Sequence, residues 1–329
     1  MTFRVLICDH VDPAAVEILE QAQGITVSGT GPLTRGEVLA AAPNADALLV
    51  RSSTTVDAEI MAAAPHLRAV ARAGVGVDNV DLADATQRGI VVMNTPGGNT
   101  TATAEHTFAL MLALARHIPA AHQSMLEGRW DRKLYKGLEL AGKTLGIIGF
   151  GRVGQAVARR AIAFEMVVIT HDPRDPERKA REAAEIGAKM VPLDDLLQQA
   201  DIVTLHPALN AETRGMIDAD VLAHMKKGAL LINAARGALV DAAALADALA
   251  SGQIAGAALD VYADEPPAPD MPLVGLPNVI HTPHLAASTS DAQRAVAVQA
   301  AYQLRDALLA GEYRNVVNPD VLPVRAAFD

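Results

Sequence analysis

The chain reads TLGIIGFGRVGQAVA from Thr144 to Ala158, and this stretch decides the fold around it. Its apolar first part predicts a buried strand, and a helix is expected to begin near Val153. Between them stands the spacing Gly149-x-Gly151-x-x-Gly154. In such a loop the first glycine permits a tight turn, the second lets the backbone approach a pyrophosphate, and the third lets helix and strand pack closely. Strand, loop and helix in this order predict a dinucleotide-binding unit.

The residues that follow this helix bear on the choice of dinucleotide. A strand at Met166–Thr170 leads to Asp172, which lies 18 residues after Gly154. A carboxylate there can accept hydrogen bonds from both ribose hydroxyls and repel a 2′-phosphate, which favours NAD over NADP. Arg174 instead favours NADP, because an arginine can bind a 2′-phosphate. An ordinary glycine-rich turn is the alternative, and the ordered run of strand, loop, helix, strand and acid disfavours it.

Predicted strands and helices alternate along the chain on both sides of this unit. Strands that alternate with Ala-rich helical stretches predict an α/β protein with parallel sheets. The helix expected at Thr103–Arg116 is apolar on most faces, which suggests burial between domains or subunits. Other helices are expected at Asp12–Ala22, Asp57–Ala64 and Thr289–Leu309. Further strands are expected at Arg4–Cys8, Ala47–Arg51, Ala69–Ala73, Val91–Asn94, Ile202–Leu205, Ala229–Asn233, Gly256–Leu259 and Val279–Thr282.

Length and composition narrow the class of protein. The 329 residues suggest two domains at roughly 150 residues each. The 28 basic and 38 acidic residues give a net charge of −10, which argues against nucleic-acid binding. Cys8 is the single cysteine, so an intrachain disulfide is excluded and no metal site is expected. The sequence shows no signal peptide and no membrane-length apolar run, which favours a soluble cytoplasmic protein.

Three further segments place polar residues at predicted strand ends. They are Asn233–Gly237, Asp260–Glu265 and the pair Pro283 and His284. In an open α/β sheet, ligands bind outside the carboxyl ends of the strands. These segments and the glycine loop are therefore expected to face one cleft.

The residue types in these segments suit a dehydrogenase of 2-hydroxy acids. His284 can serve as the base, since an unperturbed histidine titrates near pH ~6.5. Glu265 can bond the second ring nitrogen and stabilise the imidazolium. Arg236 can hold the substrate carboxylate and polarise the C2 oxygen. Taken singly, each is equally well an ordinary loop residue, but together beside a dinucleotide loop they favour catalysis.

Other polar residues are weaker candidates. His206 follows a strand and is expected to line the cofactor cleft. Asp260 could bond the nicotinamide carboxamide, with loop capping as the alternative. His106 on its apolar helix and His281 in its strand are expected to be packed, structural residues.

These segments resemble the D-isomer-specific 2-hydroxyacid dehydrogenases over nearly the whole chain. The matching stretches are RAGVGVDNVD at Arg72–Asp81, TLGIIGFGRVGQAVA at Thr144–Ala158, NAARGALVD at Asn233–Asp241, ALDVYADEPP at Ala258–Pro267 and PHLAAST at Pro283–Thr289. The resemblance implies two Rossmann-like, doubly wound parallel-sheet domains. A NAD-binding domain at 99–287 would be inserted into a discontinuous substrate domain made of 1–98 and 288–329. It also implies a homodimer or larger homo-oligomer.

The resemblance also implies roles for particular residues. The family's catalytic residues match Arg236, Glu265 and His284, and its backbone grip on the substrate carboxylate matches Gly74 and Val75. Its cofactor contacts match Val75, Arg152, Val153, Asp172, Ala234, Asp260, Ala286 and Ala287, beside Gly149, Gly151 and Gly154. The family's His-x-Pro-Leu is replaced here by His206-Pro207-Ala208-Leu209. Since Pro207 has no N–H, a contact through a backbone donor at that position is in doubt.

Within the family, Leu48–Thr54 and Ala115–Gly137 are most similar to the branch that oxidises 3-phospho-D-glycerate to 3-phosphohydroxypyruvate in serine biosynthesis. A phosphorylated substrate needs cations besides Arg236, and Arg51 and Arg72 end two predicted strands, with donors at Ser52 and Ser53. Arg132 or Lys133 could reach the site from a partner subunit. Ordinary surface cations are the alternative.

Several other functions stay open. Hydroxypyruvate or glyoxylate reduction, oxidation of another anionic acid such as sulfolactate, and a dinucleotide-sensing binding protein all fit the same motifs. The length is expected to be used up by the catalytic unit, without an appended regulatory domain.

Overall fold

The computed structural model describes residues 2–325, and the chain splits into two compact units. One unit holds the chain up to Asn99 together with the residues from Ser288 onward, and the other is Thr100–Ala287. Each unit is built on an all-parallel sheet with helices between successive strands, except between the last two strands of the second unit. The predicted α/β class with two parallel sheets is confirmed.

The first unit contains a five-stranded sheet of order β2-β1-β3-β4-β5. Its strands are β1 (Phe3–Ile7), β2 (Ile25–Ser28), β3 (Ala47–Val50), β4 (Ala69–Arg72) and β5 (Val91–Met93). Its helices are α1 (Pro13–Glu20), α2 (Arg35–Ala41), α3 (Ala58–Ala63), α4 (Leu82–Gln87), α12 (Ser290–Ala310) and α13 (Val321–Arg325).

The core of this unit joins residues that are distant in sequence. Helix α12 packs on β3 and β4, and its residues Val296, Ala300 and Leu304 share one buried cluster with Val5 and Ile7 of β1. The cap of α12 is local, because the Thr289 side chain accepts a hydrogen bond from the Ala292 amide. One face of the five-stranded sheet therefore depends on a helix from the far end of the sequence.

The segment after α12 also belongs to this unit. Asn318 is buried; its side chain accepts a hydrogen bond from the Val92 amide and donates one to the Ile90 carbonyl. Val321 in the short helix α13 is fully buried. A single buried amide with paired backbone partners thus fixes this stretch to strand β5.

The second unit contains a seven-stranded sheet of order β12-β11-β10-β9-β6-β7-β8. Its strands are β6 (Thr144–Ile148), β7 (Val167–His171), β8 (Lys189–Met190), β9 (Ile202–Leu205), β10 (Ala229–Asn233), β11 (Ile254–Leu259) and β12 (Val279–His281). Its helices are α5 (Thr100–Ala115), α6 (Ile118–Leu126), α7 (Arg152–Ala163), α8 (Pro176–Ile186), α9 (Leu193–Gln199), α10 (Ala219–His224) and α11 (Ala242–Ala250).

The apolar helix α5 lies within the core of this second unit. Its buried residues Phe108, Met111 and Leu114 share one hydrophobic cluster with Ile147 of β6 and Val157 of α7. This packing explains why apolar residues occur around most of the helix. In the described residues, 2–325, no helix combines the length and hydrophobicity that crossing a membrane would need.

Candidate active site

The loops at the carboxyl ends of three neighbouring strands carry the proposed catalytic residues. β10, β11 and β12 are consecutive in the seven-stranded sheet. They lead to Arg236, Glu265 and His284, respectively. Because all strands are parallel, these loops emerge at the same edge of the sheet.

His284 and Glu265 form a directly bonded pair. The imidazole Nδ1 lies 2.7 Å from the Glu265 carboxylate oxygen Oε2. An ionised carboxylate only accepts, so Nδ1 carries the proton and Nε2 is left for another partner. The second oxygen of Glu265 accepts the Tyr262 amide at 3.1 Å. The carboxylate is thus fixed by its own loop, and the His284 side chain remains 48% exposed for a substrate.

A cavity of about 380 Å³ adjoins this pair. Its walls come from the two loops after β11 and β12, which include both Glu265 and His284. Tyr262 and His281 also line the cavity, and the Tyr262 hydroxyl lies 2.9 Å from Nδ1 of His281. The other ring nitrogen of His281, Nε2, lies 3.1 Å from the Leu273 carbonyl oxygen and donates to it. Burial lowers the pKa of His281, so this second histidine is a neutral structural acceptor, as its place in a strand predicted.

Arg236 lies in a loop that is held close to the neighbouring loop. Asn233 donates from Nδ2 to the Arg236 carbonyl at 2.9 Å and accepts the Ala235 amide at 3.1 Å. At Gly237, an added Cβ would lie 1.9 Å from the Tyr262 carbonyl carbon. Only glycine leaves room for this approach, so the loops of Arg236 and Glu265 are in direct backbone contact. Ala234, a predicted cofactor contact, is buried beside Asn233.

The glycine loop follows β6 as predicted, and each glycine has a distinct environment. Gly149 has φ +90°, and a Cβ there would lie 2.5 Å from the Pro207 nitrogen. A Cβ on Gly154 would lie 2.3 Å from the Gly149 carbonyl oxygen. A Cβ on Gly151 would meet no protein atom of the described chain within 4 Å. Gly149 and Gly154 therefore shape the loop, while Gly151 leaves open space in front of it.

We expect substitution of Gly151 to affect cofactor binding and substitution of Gly154 to affect stability. Gly151→Ala should keep the melting temperature and weaken NADH binding about tenfold, since the methyl group occupies only the open space. Gly154→Ala should lower stability by about 1–3 kcal/mol, because the loop must shift. Thermal unfolding and NADH fluorescence titration of both variants measure this. Equal losses of stability in the two variants would contradict the assignment.

The loop is supported from behind by a buried lysine. Lys179 on α8 is 7% exposed, and its Nζ donates to the Phe150 carbonyl at 2.8 Å and to Glu182 at 2.9 Å. Gln155 donates to the same Glu182 oxygen at 2.8 Å. The exposed Arg152 and the half-buried Val153, both predicted cofactor contacts, form the first turn of α7.

Asp172 directly follows β7, and its carboxylate is hydrogen-bonded by neighbouring residues. Its carboxylate accepts the Phe150 amide at 3.0 Å and the Arg174 amide at 3.1 Å. Burial alone would raise its pKa, but these bonds and the Arg174 guanidinium at 3.3 Å outweigh it and lower the pKa. Asp172 is thus an ionised acceptor, with the 64% exposed Arg174 side chain beside it.

In the first unit, the predicted substrate residues gather at one edge of the five-stranded sheet. Val50 pairs with Arg72, so Arg51 and Arg72 both stand at carboxyl ends of adjacent strands. Arg51 Nη1 donates to the His10 carbonyl at 3.1 Å. Ser52 is exposed, as is Val75.

Buried polar groups fix the same edge. Asp9 is 2% exposed and accepts the Arg51 amide at 2.5 Å and the Thr54 hydroxyl at 2.7 Å. Gly74 has φ +156°, and a Cβ there would lie 1.7 Å from Arg72 Nη1, so the guanidinium lies directly against this glycine.

Comparison with known proteins gives a consistent family. A sequence model described as "D-isomer specific 2-hydroxyacid dehydrogenase, NAD binding domain" matches residues 108–286, more than half of the chain. The chain belongs to this family. The matched segment is its NAD-binding domain, which confirms the predicted cofactor.

Relatives and solved structures of this family align along the chain. D-3-phosphoglycerate dehydrogenase of Archaeoglobus fulgidus is 46% identical over 321 residues, 97% of this chain and 60% of that protein. The same enzyme of Mycobacterium tuberculosis is 48% identical over 329 residues, 97% of this chain and 61% of that protein. The chain thus spans about three fifths of these relatives. A crystal structure of a glyoxylate reductase from Paecilomyes thermophila superposes with a TM-score of 0.86 at 32% identity, covering 97% of this chain and 99% of that one.

One part of this family member's site, the role of His106, was not found from the sequence. His106, expected to be merely packed, bonds the buried Asp260 across the unit at 3.1 Å. The Asp260 carboxylate accepts the Leu285 and Ala286 amides, which is the loop-capping role given as its alternative, and its contact with the nicotinamide remains a prediction. A histidine on an otherwise apolar helix was the available signal. Across residues 2–325 no group of three or more His, Cys, Asp or Glu side chains could hold a metal ion.

His206 directly follows β9, and its environment keeps it neutral. Its amide donates to the Ile148 carbonyl at 2.7 Å, and Nε2 lies 3.0 Å from the Thr204 hydroxyl. Burial lowers its pKa from 6.5 to about 3. A contact of this side chain with the cofactor remains a prediction.

The lowered pKa of His206 predicts a pH effect on stability. Between pH ~6.5 and ~3 the unfolded chain binds a proton there that the folded chain does not, so stability falls as the pH falls. Between pH 7.5 and pH 5 we expect the free energy of unfolding of the wild type to fall by about 1–2 kcal/mol more than that of His206→Gln. Urea unfolding at both pH values measures this. The exposed His122→Gln is the control, and a wild-type pH slope matching that of His206→Gln would contradict the prediction.

Proposed function

We propose that this chain catalyses the NAD-dependent oxidation of a D-2-hydroxy acid, with 3-phospho-D-glycerate as the substrate and 3-phosphohydroxypyruvate as the product. The observation that carries the proposal is the His284–Glu265 pair, bonded at 2.7 Å beside a cavity. This reaction class needs a base whose tautomer is fixed, and the pair supplies one. The relatives named above act on 3-phosphoglycerate by their names, which supports the substrate.

The second unit has residues that fit NAD. Open space lies in front of Gly151, the α7 N-terminus begins at Arg152, and the acceptor Asp172 ends β7. A helix N-terminus suits a pyrophosphate, and an acid suits the ribose hydroxyls. When bound there, NAD would supply the acceptor for the hydride from C2. We propose Val75, Ala234, Asp260, Ala286 and Ala287 as further contacts to the cofactor.

Residues of this chain take up the proton of the C2 hydroxyl and bind the charged groups of the substrate. His284 Nε2 takes the proton from the C2 hydroxyl while Nδ1 remains bonded to Glu265, which stabilises the resulting imidazolium. Arg236 holds the carboxylate and the carbonyl oxygen that forms at C2 through its planar fork of donors. In the reverse direction, the imidazolium returns the same proton to that oxygen.

We assign the substrate's phosphate to the first unit. Arg51, Arg72 and Ser52 stand at one strand edge there and provide the cations and the hydroxyl that a phosphate needs. The Gly74 and Val75 amides are proposed to bind the substrate carboxylate. The first unit is accordingly the substrate-binding domain and the second the NAD-binding domain.

The proposal is tested with a panel of 2-hydroxy and 2-keto acids assayed with NAD and NADP and their reduced forms. The highest kcat/KM should be with 3-phospho-D-glycerate and NAD. Arg51→Ala should weaken use of this substrate at least about tenfold, yet change use of D-glycerate little, because D-glycerate has no phosphate for Arg51 to bind. Better turnover of glyoxylate, hydroxypyruvate or sulfolactate would reassign the substrate. NADH binding without any turnover would indicate a dinucleotide sensor instead.

We also propose that the protein is a cytoplasmic homodimer or larger homo-oligomer. The Ile118–Leu134 stretch exposes large apolar side chains, with Trp130 73%, Leu134 72% and Leu126 69% exposed. Such surfaces usually mark interaction sites. From this stretch Arg132 or Lys133 could reach a partner's site. Sedimentation analysis of wild type and Trp130→Glu tests this, and a wild type that sediments as a monomer would refute it.

A further inference from the structure

Asp260 is the centre of a buried hydrogen-bond cluster behind the catalytic loop. The side chain is fully buried at the end of β11. Its oxygen Oδ1 accepts from the Leu285 amide at 2.7 Å and the Thr282 hydroxyl at 2.6 Å, and Oδ2 accepts from the Ala286 amide at 2.8 Å. Burial alone would raise the pKa of this carboxyl, but these donors outweigh it and lower the pKa. The carboxylate is therefore ionised, and both of its oxygens are held by donors of this chain.

The cluster determines the backbone on which His284 stands. The His284 amide donates to the Asp260 carbonyl at 2.8 Å. His284 has φ +55°, a left-handed conformation that few residues other than glycine adopt. The amides of the next two residues are the ones bonded to the Asp260 carboxylate. Bonds on both sides of His284 thus hold it in a conformation that would otherwise be disfavoured.

His106 contributes the remaining donor from a different element. It lies on α5, and its Nε2 is 3.1 Å from Asp260 Oδ1 and 3.3 Å from the Thr282 hydroxyl. Since Asp260 is ionised and can only accept, Nε2 must carry a proton. The His106 side chain is only 20% exposed, and a bond from it to a buried charge is stronger than one between neutral groups.

We propose that His106, together with Thr282, is a positioning residue that anchors the Asp260 carboxylate and thereby holds the His284 loop in its reactive conformation. Two loop amides alone leave Oδ1 without its side-chain donors, and a buried carboxylate that loses a donor rearranges to recover one. Any such rearrangement pulls on Leu285 and Ala286, next to the proposed base. The inference rests on the proposed function, since it gives His284 its catalytic role.

The test compares three variants on α5. His106→Leu removes the donor at similar volume, and His106→Gln retains an N–H of similar reach. Thr107→Val is the matched control, since the buried Thr107 bonds only its own helix, at Thr103. His106→Leu should lower kcat about tenfold or more, the effect of losing one bond to a charged group. The loss of NADH affinity should be smaller than the loss of kcat, because the glycine loop is untouched although Asp260 and Ala286 are also proposed cofactor contacts. His106→Gln should restore most of kcat, and Thr107→Val should keep it.

A kcat of His106→Leu within twofold of the wild type would overturn the proposal. So would an equal loss in His106→Gln or in Thr107→Val. Should His106→Leu not fold, Thr282→Val removes the other side-chain donor from the same oxygen. That variant should also lower kcat, and an unchanged kcat would refute the anchoring role.

Amide hydrogen exchange separates this inference from the proposed function. Leu285 and Ala286 should exchange at least about tenfold faster in His106→Leu than in the wild type, while α12 is unchanged. This readout needs no turnover. A wild type that turns over no 2-hydroxy acid would refute the proposed function, and the exchange rates would still decide the anchoring of the loop. Unchanged exchange in His106→Leu would refute the anchoring while leaving the function standing.

Discussion

Replacing His284 by asparagine is expected to lower kcat by about 10²–10⁴-fold, the usual contribution of a general base. The amide cannot take the proton from the C2 hydroxyl, although its Nδ2 can still donate to Glu265 in place of the imidazole Nδ1. NADH affinity should be nearly unchanged, because the glycine loop and Asp172 lie on other strands. Steady-state kinetics in both directions, with NADH titration of the same preparation, measure the two effects.

Two further variants test the reasoning behind this expectation. Glu265→Gln should also lower kcat, by less than the loss of the histidine, since Nδ1 keeps an acceptor but the imidazolium loses its counter-charge. His224→Asn removes an exposed histidine at the end of α10 and should change nothing. If His284→Asn retained a tenth or more of wild-type kcat, the base would have to be another group.

Replacing Asp172 by asparagine is expected to reduce the preference for NAD over NADP by about 100-fold or more. The substitution keeps the shape and one acceptor oxygen but removes the charge that repels a 2′-phosphate. The two charge-assisted bonds that we propose from Asp172 to the ribose, each of about 1.5–3 kcal/mol, should also weaken. The ratio of kcat/KM values for the two cofactors measures the change.

Arg174 makes this prediction more specific. In the wild type its guanidinium lies 3.3 Å from the Asp172 carboxylate. Without that charge it can turn to a 2′-phosphate, so Asp172→Asn should gain activity with NADP, and the added Arg174→Ala should remove the gain. A cofactor ratio unaffected by Asp172→Asn would exclude this residue from the choice of dinucleotide.

Local pattern predicted much of the fold. The strand Ile202–Leu205 and the strand Ala229–Asn233 have the bounds expected from the sequence. Both are continuous apolar runs, the pattern of a parallel strand covered on both faces. The strands β2 and β8 were missed. β2 alternates polar and apolar residues over four positions, and β8 has only two residues, so neither gives a signal distinct from a loop.

Only those residues of the candidate site that lie in the loops directly after predicted strands could be identified from the sequence. The pairing of Glu265 with His284 followed from residue type and position, because loops at one edge of a parallel sheet converge. The bond from His106 to Asp260 joins residues 154 positions apart, and no spacing rule links them. The contact of Gly237 with Tyr262 is likewise a property of the assembled sheet, since nothing in the local sequence shows what a side chain at 237 would strike.

The origin of helix α12 constrains how the protein can fold during its synthesis. Strands β1 to β5 leave the ribosome first, but α12, which covers one face of their sheet, begins only at Ser290. Until then the apolar residues of that face, such as Val5, Ile7 and Leu49, lack their cover and are prone to aggregation. The middle of the chain can complete its own core earlier. The unit that is translated first is therefore completed last, and a nascent chain that pauses before Ser290 should depend on a chaperone to stay soluble.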